Sequence, residues 1–218
     1  MNQYNIILYY IMTLSQFYID LKKMWKSGGP NGTEGGWAHY YYGIVSKVIN
    51  DNNFKNCAEV GIGYGLHAEQ ILQNTSVERL YLIDPMTFYP NDGFATDVIN
   101  FGGFELLVQN IIICLGSFSD RYVWFRQPST SISNEQIPAE SLDLVFIDAD
   151  HSYNAVKADL PFWFSKVRKG GWLLGDDYAS CCPGTTKAVD EFAAINGFEL
   201  RFLHKPNNEY PIYYFIKE

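Results

Sequence analysis

From about Asn56 onward the chain alternates short apolar runs with stretches of helical spacing, and this alternation constrains the fold more than any other feature. Residues 57–60, 80–83, 122–125, 142–147 and 172–174 read as strands, whereas 66–73, 104–114, 153–169 and 185–195 read as helices. In the third of these helices Val156, Leu160, Phe164 and Val167 share one face. Strand and helix in alternation imply parallel strands joined by crossover helices, hence an α/β doubly wound sheet with helices on both faces. The last two apolar runs, 198–203 and 212–216, have only Lys205-Pro206-Asn207-Asn208-Glu209 in the gap where a helix would stand. They predict a terminal hairpin, so one strand runs antiparallel at the end of the sheet.

Residues 27–36 (Ser-Gly-Gly-Pro-Asn-Gly-Thr-Glu-Gly-Gly) are dense in turn formers and divide the chain into a helical region, 1–55, and the α/β unit, 56–218. The apolar stretch 6–12 is interrupted soon after by Thr13, Ser15, Gln16 and Asp20. It is too short for a membrane span and lacks a basic leader, so a helix packed on the domain, or an oligomer contact, is expected in a cytoplasmic protein with no membrane partner. Charge narrows the partners further: 16 basic residues against 24 acidic ones, net −8, argue against a nucleic-acid surface. The one basic stretch, Lys22-Lys23-Met24-Trp25-Lys26, reads as a solvated helix face. Cys57, Cys114, Cys181 and Cys182 have no metal-ligand spacing; the first two read as buried thiols and the vicinal pair as reduced.

Glu59-Val60-Gly61-Ile62-Gly63-Tyr64-Gly65-Leu66 follows the first strand. Glycines at alternate positions let the backbone turn sharply and approach a ligand where a helix begins, at the strand ends where ligands of open α/β sheets bind. A dinucleotide fingerprint would place Gly or Ala at position 66, which is Leu, and Glu59 would repel a pyrophosphate. A cationic ligand without phosphate fits better, and S-adenosylmethionine is one. Asp84, closing the second strand, is placed to accept from both ribose hydroxyls.

A second cluster sits at the later strand ends. Asp148 ends the fourth strand and Asp176-Asp177 end the fifth, so neighbouring strands bring three carboxylates to one edge. Like charges this close raise one another's pKa unless a cation neutralises them, and an all-oxygen set favours Mg²⁺ or a similar divalent ion. Asp148 as a cap for the following helix is the plainer alternative. His151, three residues beyond Asp148, is a candidate proton acceptor for a substrate hydroxyl. Asp150 either orients His151 or faces water; His67 and His204 read as structural. Trp37-Ala38-His39-Tyr40-Tyr41-Tyr42 would suit a lid over a sugar or an aromatic ring.

These motifs together resemble class I S-adenosylmethionine-dependent O-methyltransferases, nearest to the metal-dependent macrocin-type sugar enzymes and more distantly to catechol O-methyltransferase. The likeness is carried by residues 59–65, by Leu82-Ile83-Asp84, by Phe146-Ile147-Asp148-Ala149-Asp150-His151-Ser152-Tyr153, by residues 169–178, and by the stretch 184–192. It implies a Rossmann-like seven-stranded sheet in the order 3-2-1-4-5-7-6 with strand 7 antiparallel. It implies cofactor contacts from Glu59, Gly61, Gly63, Gly65, Asp84 and Ser129, the last at the adenine. Metal ligation would fall on Asp148, Asp176 and Asp177, with His151 as base, and residues 1–55 would cap a small-molecule substrate. The expected reaction is metal-assisted methyl transfer to a hydroxyl of a sugar, vicinal diol or catechol. Metal-independent N- or C-methylation, an NAD-dependent oxidoreductase and a non-catalytic binding module are the alternatives.

Overall fold

A strand apolar on both sides needs cover on both sides, and the structure supplies it as two helical layers. The computed structural model describes residues 13–27, 39–88, 93–204 and 211–218. The apolar run 6–12, most of the turn-rich break, Trp37 and the hairpin loop lie outside them, and so do the side chains of residues 39–42. Two helices, α1 (Gln16–Ser27) and α2 (His39–Asp51), precede β1 (Asn56–Val60), α3 (Leu66–Asn74), β2 (Arg79–Ile83), α4 (Gly93–Phe101) and α5 (Phe104–Leu115). Then follow β3 (Tyr122–Phe125), β4 (Leu142–Ile147), α6 (Tyr153–Lys166), β5 (Val167–Gly175), α7 (Pro183–Asn196), β6 (Arg201–Leu203) and β7 (Ile212–Ile216).

The sheet order is β3-β2-β1-β4-β5-β7-β6, as expected. The first five strands pair in parallel, and β7 runs antiparallel to both β5 and β6. Period-two alternation divides the core. Leu144 and Phe146 of β4 pack with α1, α2, α3 and α5, through Tyr18, Val48, Leu72 and Ile111 among others. Val145 and Ile147 face the other way, toward Leu160, Trp163 and Val189 of α6 and α7. Each such side chain, once fully buried, contributes about 1.5–3 kcal/mol. The foot of the central strands is pinned by Asp143, whose Oδ2 accepts from the Lys55 and Asn56 N–H groups at 2.7 Å each while Oδ1 meets Arg168 at 2.6 Å.

Several elements differ from the sequence reading. The helix expected to run to Lys169 ends at Lys166, because Val167 already pairs with Leu142; the ladder is then irregular before Leu144 meets Trp172, with Gly170 at φ +75°. Strand β6 begins at Arg201 rather than Phe198, whose ring instead packs on Phe164 and Phe192. Helix α4 was not foreseen. Lys22 also departs from the solvated face expected of it: its ammonium lies 2.6 Å from Glu69 at 19% side-chain exposure.

Candidate active site

The cleft lies at the C-terminal ends of β1, β2 and β4, where the sheet geometry gathers loops from distant parts of the chain. Gly61 turns the chain out of β1 at φ +82°, its N–H donating to the Ile83 carbonyl at 2.9 Å. Beside it the Asp148 N–H donates to the Val60 carbonyl at 2.8 Å, so the two strand ends touch. A Cβ on Gly61 would stand 2.0 Å from the Asp148 carbonyl oxygen. Asp84 shapes the same loop: Oδ2 accepts from the Ile62 N–H at 3.0 Å and Oδ1 from the Met86 N–H at 2.8 Å. Burial raises its carboxyl above the usual range, opposed by these amide bonds. A carboxylate offers about four acceptor sites, so Asp84 retains capacity toward the cleft it lines.

The cleft encloses about 720 Å³, within the range that holds a cofactor-sized ligand. Gly61, Gly63, Asp84, Ser129, Glu59, Asp148 and His151 all line it. Gly65 caps the start of α3 in a left-handed conformation at φ +72°.

At one end Asp148, His151 and Asp177 each offer a ligand atom, all within 4.8 Å of one another. His151 Nε2 lies 3.0 Å from Asp177 Oδ2. The pair is assembled from two loops: Thr185, in the first turn of α7, donates to the His151 carbonyl at 3.3 Å, and Asp177 itself turns back at φ +58°. Asp176 stands behind this group, buried, its N–H on the Ile147 carbonyl at 3.1 Å. The Asp148 carboxyl is pushed up to about 7, by burial first and then by the Asp176 charge, with His151 acting in the opposite sense. The plainer role for Asp148 fails: Ser152 caps α6, its Oγ accepting from the Ala155 N–H. Asp150 is exposed and accepts from the Ser152 N–H at 2.8 Å, which makes it a turn former rather than a partner of His151.

Two placements differ from a simple ligand-facing picture. Glu59 is only 2% exposed, and its Oε1 lies 2.9 Å from His67 Nδ1, so part of its charge is engaged beneath the loop. Ser129 Oγ donates to Asp159 Oδ1 at 2.5 Å and accepts from Trp163 Nε1 at 2.7 Å. Asp159 therefore joins Ser129 in the lining of the cleft, its carboxyl pushed up to about 6 by burial. Sequence reasoning missed Asp159; its signal is an aspartate set among Val156, Leu160 and Trp163 on a buried helix face. His67, read as structural, is buried with its Nδ1 2.9 Å from Glu59 Oε1.

Residues 58–178 match a family model described as a methyltransferase domain (Methyltransf_24). A relative from Acanthamoeba polyphaga mimivirus, an uncharacterized protein, is 24% identical over 161 residues, covering 72% of this chain and 68% of its own. Among solved structures, a Corynebacterium glutamicum protein superposes with a TM-score of 0.58 at 13% identity, over 99% of this chain and 97% of that one. The O-methyltransferase NovP gives 0.55 at 18% identity over 81% and 77%. CalS11, a TDP-rhamnose 3′-O-methyltransferase of calicheamicin biosynthesis, gives 0.51 at 18% over 79% and 76%. At these identities the likenesses speak for the fold. The family match speaks for the activity and removes the oxidoreductase alternative: covering more than half of the 218 residues, it makes this chain a member of the S-adenosylmethionine-dependent methyltransferases.

Proposed function

We propose that the protein methylates a hydroxyl of a small molecule, with His151 as proton acceptor and a divalent cation at the adjacent carboxylates. The observation that carries this reading is the convergence of Asp148, His151 and Asp177 at the rim of the cleft lined by the glycine loop. S-adenosylmethionine, when bound, supplies an electrophilic methyl group on a sulfonium. The loop from Gly61 to Tyr64 and the Asp84 carboxylate offer amides and acceptors for its amino-acid and ribose portions, and Ser129 with Asp159, in the same lining, is the pair proposed for the adenine.

His151 and Asp177 form the proton-handling pair. With its Nε2–H on the Asp177 carboxylate, a neutral imidazole keeps a lone pair on Nδ1 that can take a hydroxyl proton. The carboxylate then stabilises the imidazolium that forms. Asp148 and Asp177, with Asp176 behind them, fit a cation because their charges crowd together and an oxygen-rich set suits a hard divalent ion such as Mg²⁺. Such an ion would lower the pKa of a hydroxyl placed beside it. The fold shared with a TDP-rhamnose 3′-O-methyltransferase supports a sugar hydroxyl among the candidate acceptors.

The direct His151–Asp177 contact also favours a second reading, in which the pair works without a metal on a small-molecule hydroxyl or amine. Calorimetry with S-adenosylhomocysteine tests the cofactor, and transfer of labelled methyl to a panel of sugar and catechol acceptors tests the reaction. Absence of cofactor binding sinks both readings. Activity undiminished by EDTA removes the metal, and activity undiminished in His151→Ala removes the base.

A further inference from the structure

Helix α1 lies outside the span matched by the family, yet it reaches the cofactor loop. Tyr18 is fully buried, and its hydroxyl donates to the Tyr64 carbonyl at 2.6 Å. Tyr64 stands between Gly63 at φ +49° and Gly65 at φ +72°, two left-handed glycines whose backbones are free to move in the absence of a side chain. Its ring packs edge-on against Phe94 at 5.0 Å, and both rings line the cleft. The helix that delivers Tyr18 is itself anchored at its start and in its middle. The Ser15 N–H donates to Asn110 Oδ1 at 2.7 Å, and Lys22 contacts Glu69 at 2.6 Å and donates to Cys114 Sγ at 3.2 Å. Glu69 belongs to the first turn of α3, the helix into which the loop runs. Loop and helix start are thus held from outside the sheet by a single segment.

We infer that Tyr18 is a positioning residue for cofactor binding: its hydroxyl fixes the Tyr64 carbonyl and so holds the glycine loop in its ligand-ready shape before the ligand arrives. A loop with glycines at alternate positions has much conformational entropy to lose, and an anchor that fixes it beforehand leaves less to be lost on binding. Burial raises the Tyr18 hydroxyl well above its ordinary range, which favours the protonated, donating form. The inference rests on the reading that this loop holds S-adenosylmethionine.

Three measurements on the full chain test it: calorimetric affinity for S-adenosylhomocysteine, amide exchange over residues 61–66 without ligand, and thermal melting. Tyr18→Phe keeps the ring and removes the hydroxyl, with its bond to Tyr64 and its contact with Cys114; we expect binding weaker by about five- to tenfold and faster exchange across the loop. Leu21→Ala removes packing from the same helix without removing that bond; it should lower the melting temperature while leaving affinity within about twofold of the wild type. Wild-type affinity and exchange in Tyr18→Phe overturn the assignment, as does a Leu21→Ala protein that loses as much affinity as Tyr18→Phe. Should Tyr18→Phe fail to fold, Asn110→Ala, which frees the start of α1, must weaken binding in the same direction; a folded Asn110→Ala protein with wild-type affinity also overturns the assignment. Failure of the wild type itself to bind strikes the cofactor reading instead.

Discussion

Gly61→Ala tests whether the meeting of β1 and β4 is what shapes the cofactor loop. The added methyl would lie 2.0 Å from the Asp148 carbonyl oxygen, 2.6 Å from its carbon and 2.7 Å from the Ala149 Cα. All three are backbone atoms, so no side chain can swing aside. Real Cβ contacts rarely fall below 3.0 Å, and reaching that floor from 2.0 Å requires a separation of about 1 Å. That motion would break or lengthen the bonds from Gly61 N–H to Ile83 and from Asp148 N–H to Val60. The left-handed backbone at φ +82° adds about 1–2 kcal/mol for a residue with a Cβ, and overpacking about 1–3 kcal/mol, for a total of about 2–5 kcal/mol. A displacement of about 1 Å at a positioning loop should lower activity by about a hundredfold. Gly63→Ala is the control: Gly63 is also left-handed, but nothing lies within 4 Å of its Cβ position, so only the backbone cost of about 1–2 kcal/mol applies. Urea denaturation and calorimetry with S-adenosylhomocysteine read both variants. Equal stability losses in the two, or near-wild-type binding by Gly61→Ala, would refute the steric argument.

Asp159 should make stability fall as pH rises. Its folded carboxyl titrates at about 6 against an ordinary 3.8, so the fold favours the protonated form; that preference is fully present below about 3.8 and is lost as pH passes about 6. Asp159→Asn should therefore be more stable than the wild type by about 1–3 kcal/mol at pH 7.5 and no more stable at pH 3.5, and equal denaturation midpoints at pH 7.5 would contradict this. His67→Ala leaves Glu59 buried beside a cavity, with Oε2 already lacking a hydrogen-bond partner among the described residues; a loss of about 3–5 kcal/mol in urea is expected. For the cation, Mg²⁺ at a hundredfold excess over its dissociation constant should stabilise the protein by about 2.7 kcal/mol, and Asp177→Ala should abolish the shift. A thermal shift that survives in Asp177→Ala would place the ion elsewhere.

The sheet was legible in the sequence because its evidence is local and repeated: each strand is a short apolar run, and the gap between the last two is too short for a helix. The strand-end residues followed from topology, since parallel neighbours must bring Asp148 and Asp177 to one edge. What escaped the reading depends on side-chain direction. Nothing in the order of residues shows that Ser129 meets Asp159 and Trp163 on α6, or that Tyr18 reaches Tyr64 across 46 positions. The vicinal carboxylates Asp176 and Asp177 could not be separated either. Both lie beyond Gly175, the last residue of β5, where strand alternation no longer fixes direction, so only the fold tells the buried member from the one on His151.

That separation bears on chemistry. Asp177 adopts φ +58°, a conformation costing a residue with a Cβ about 1–2 kcal/mol, and a non-glycine residue keeps it only where its surroundings demand it. Glycine would relieve the strain at no steric cost, yet the chain carries a carboxylate there, and the turn brings that carboxylate to His151 Nε2. Asp176 needs no such backbone, because it simply continues β5 into the interior and acts on Asp148 through its charge. The strain at one of two adjacent aspartates thus assigns them different tasks. Asp177 meets the imidazole at the rim, while Asp176 adds its charge to the burial that raises the Asp148 carboxyl.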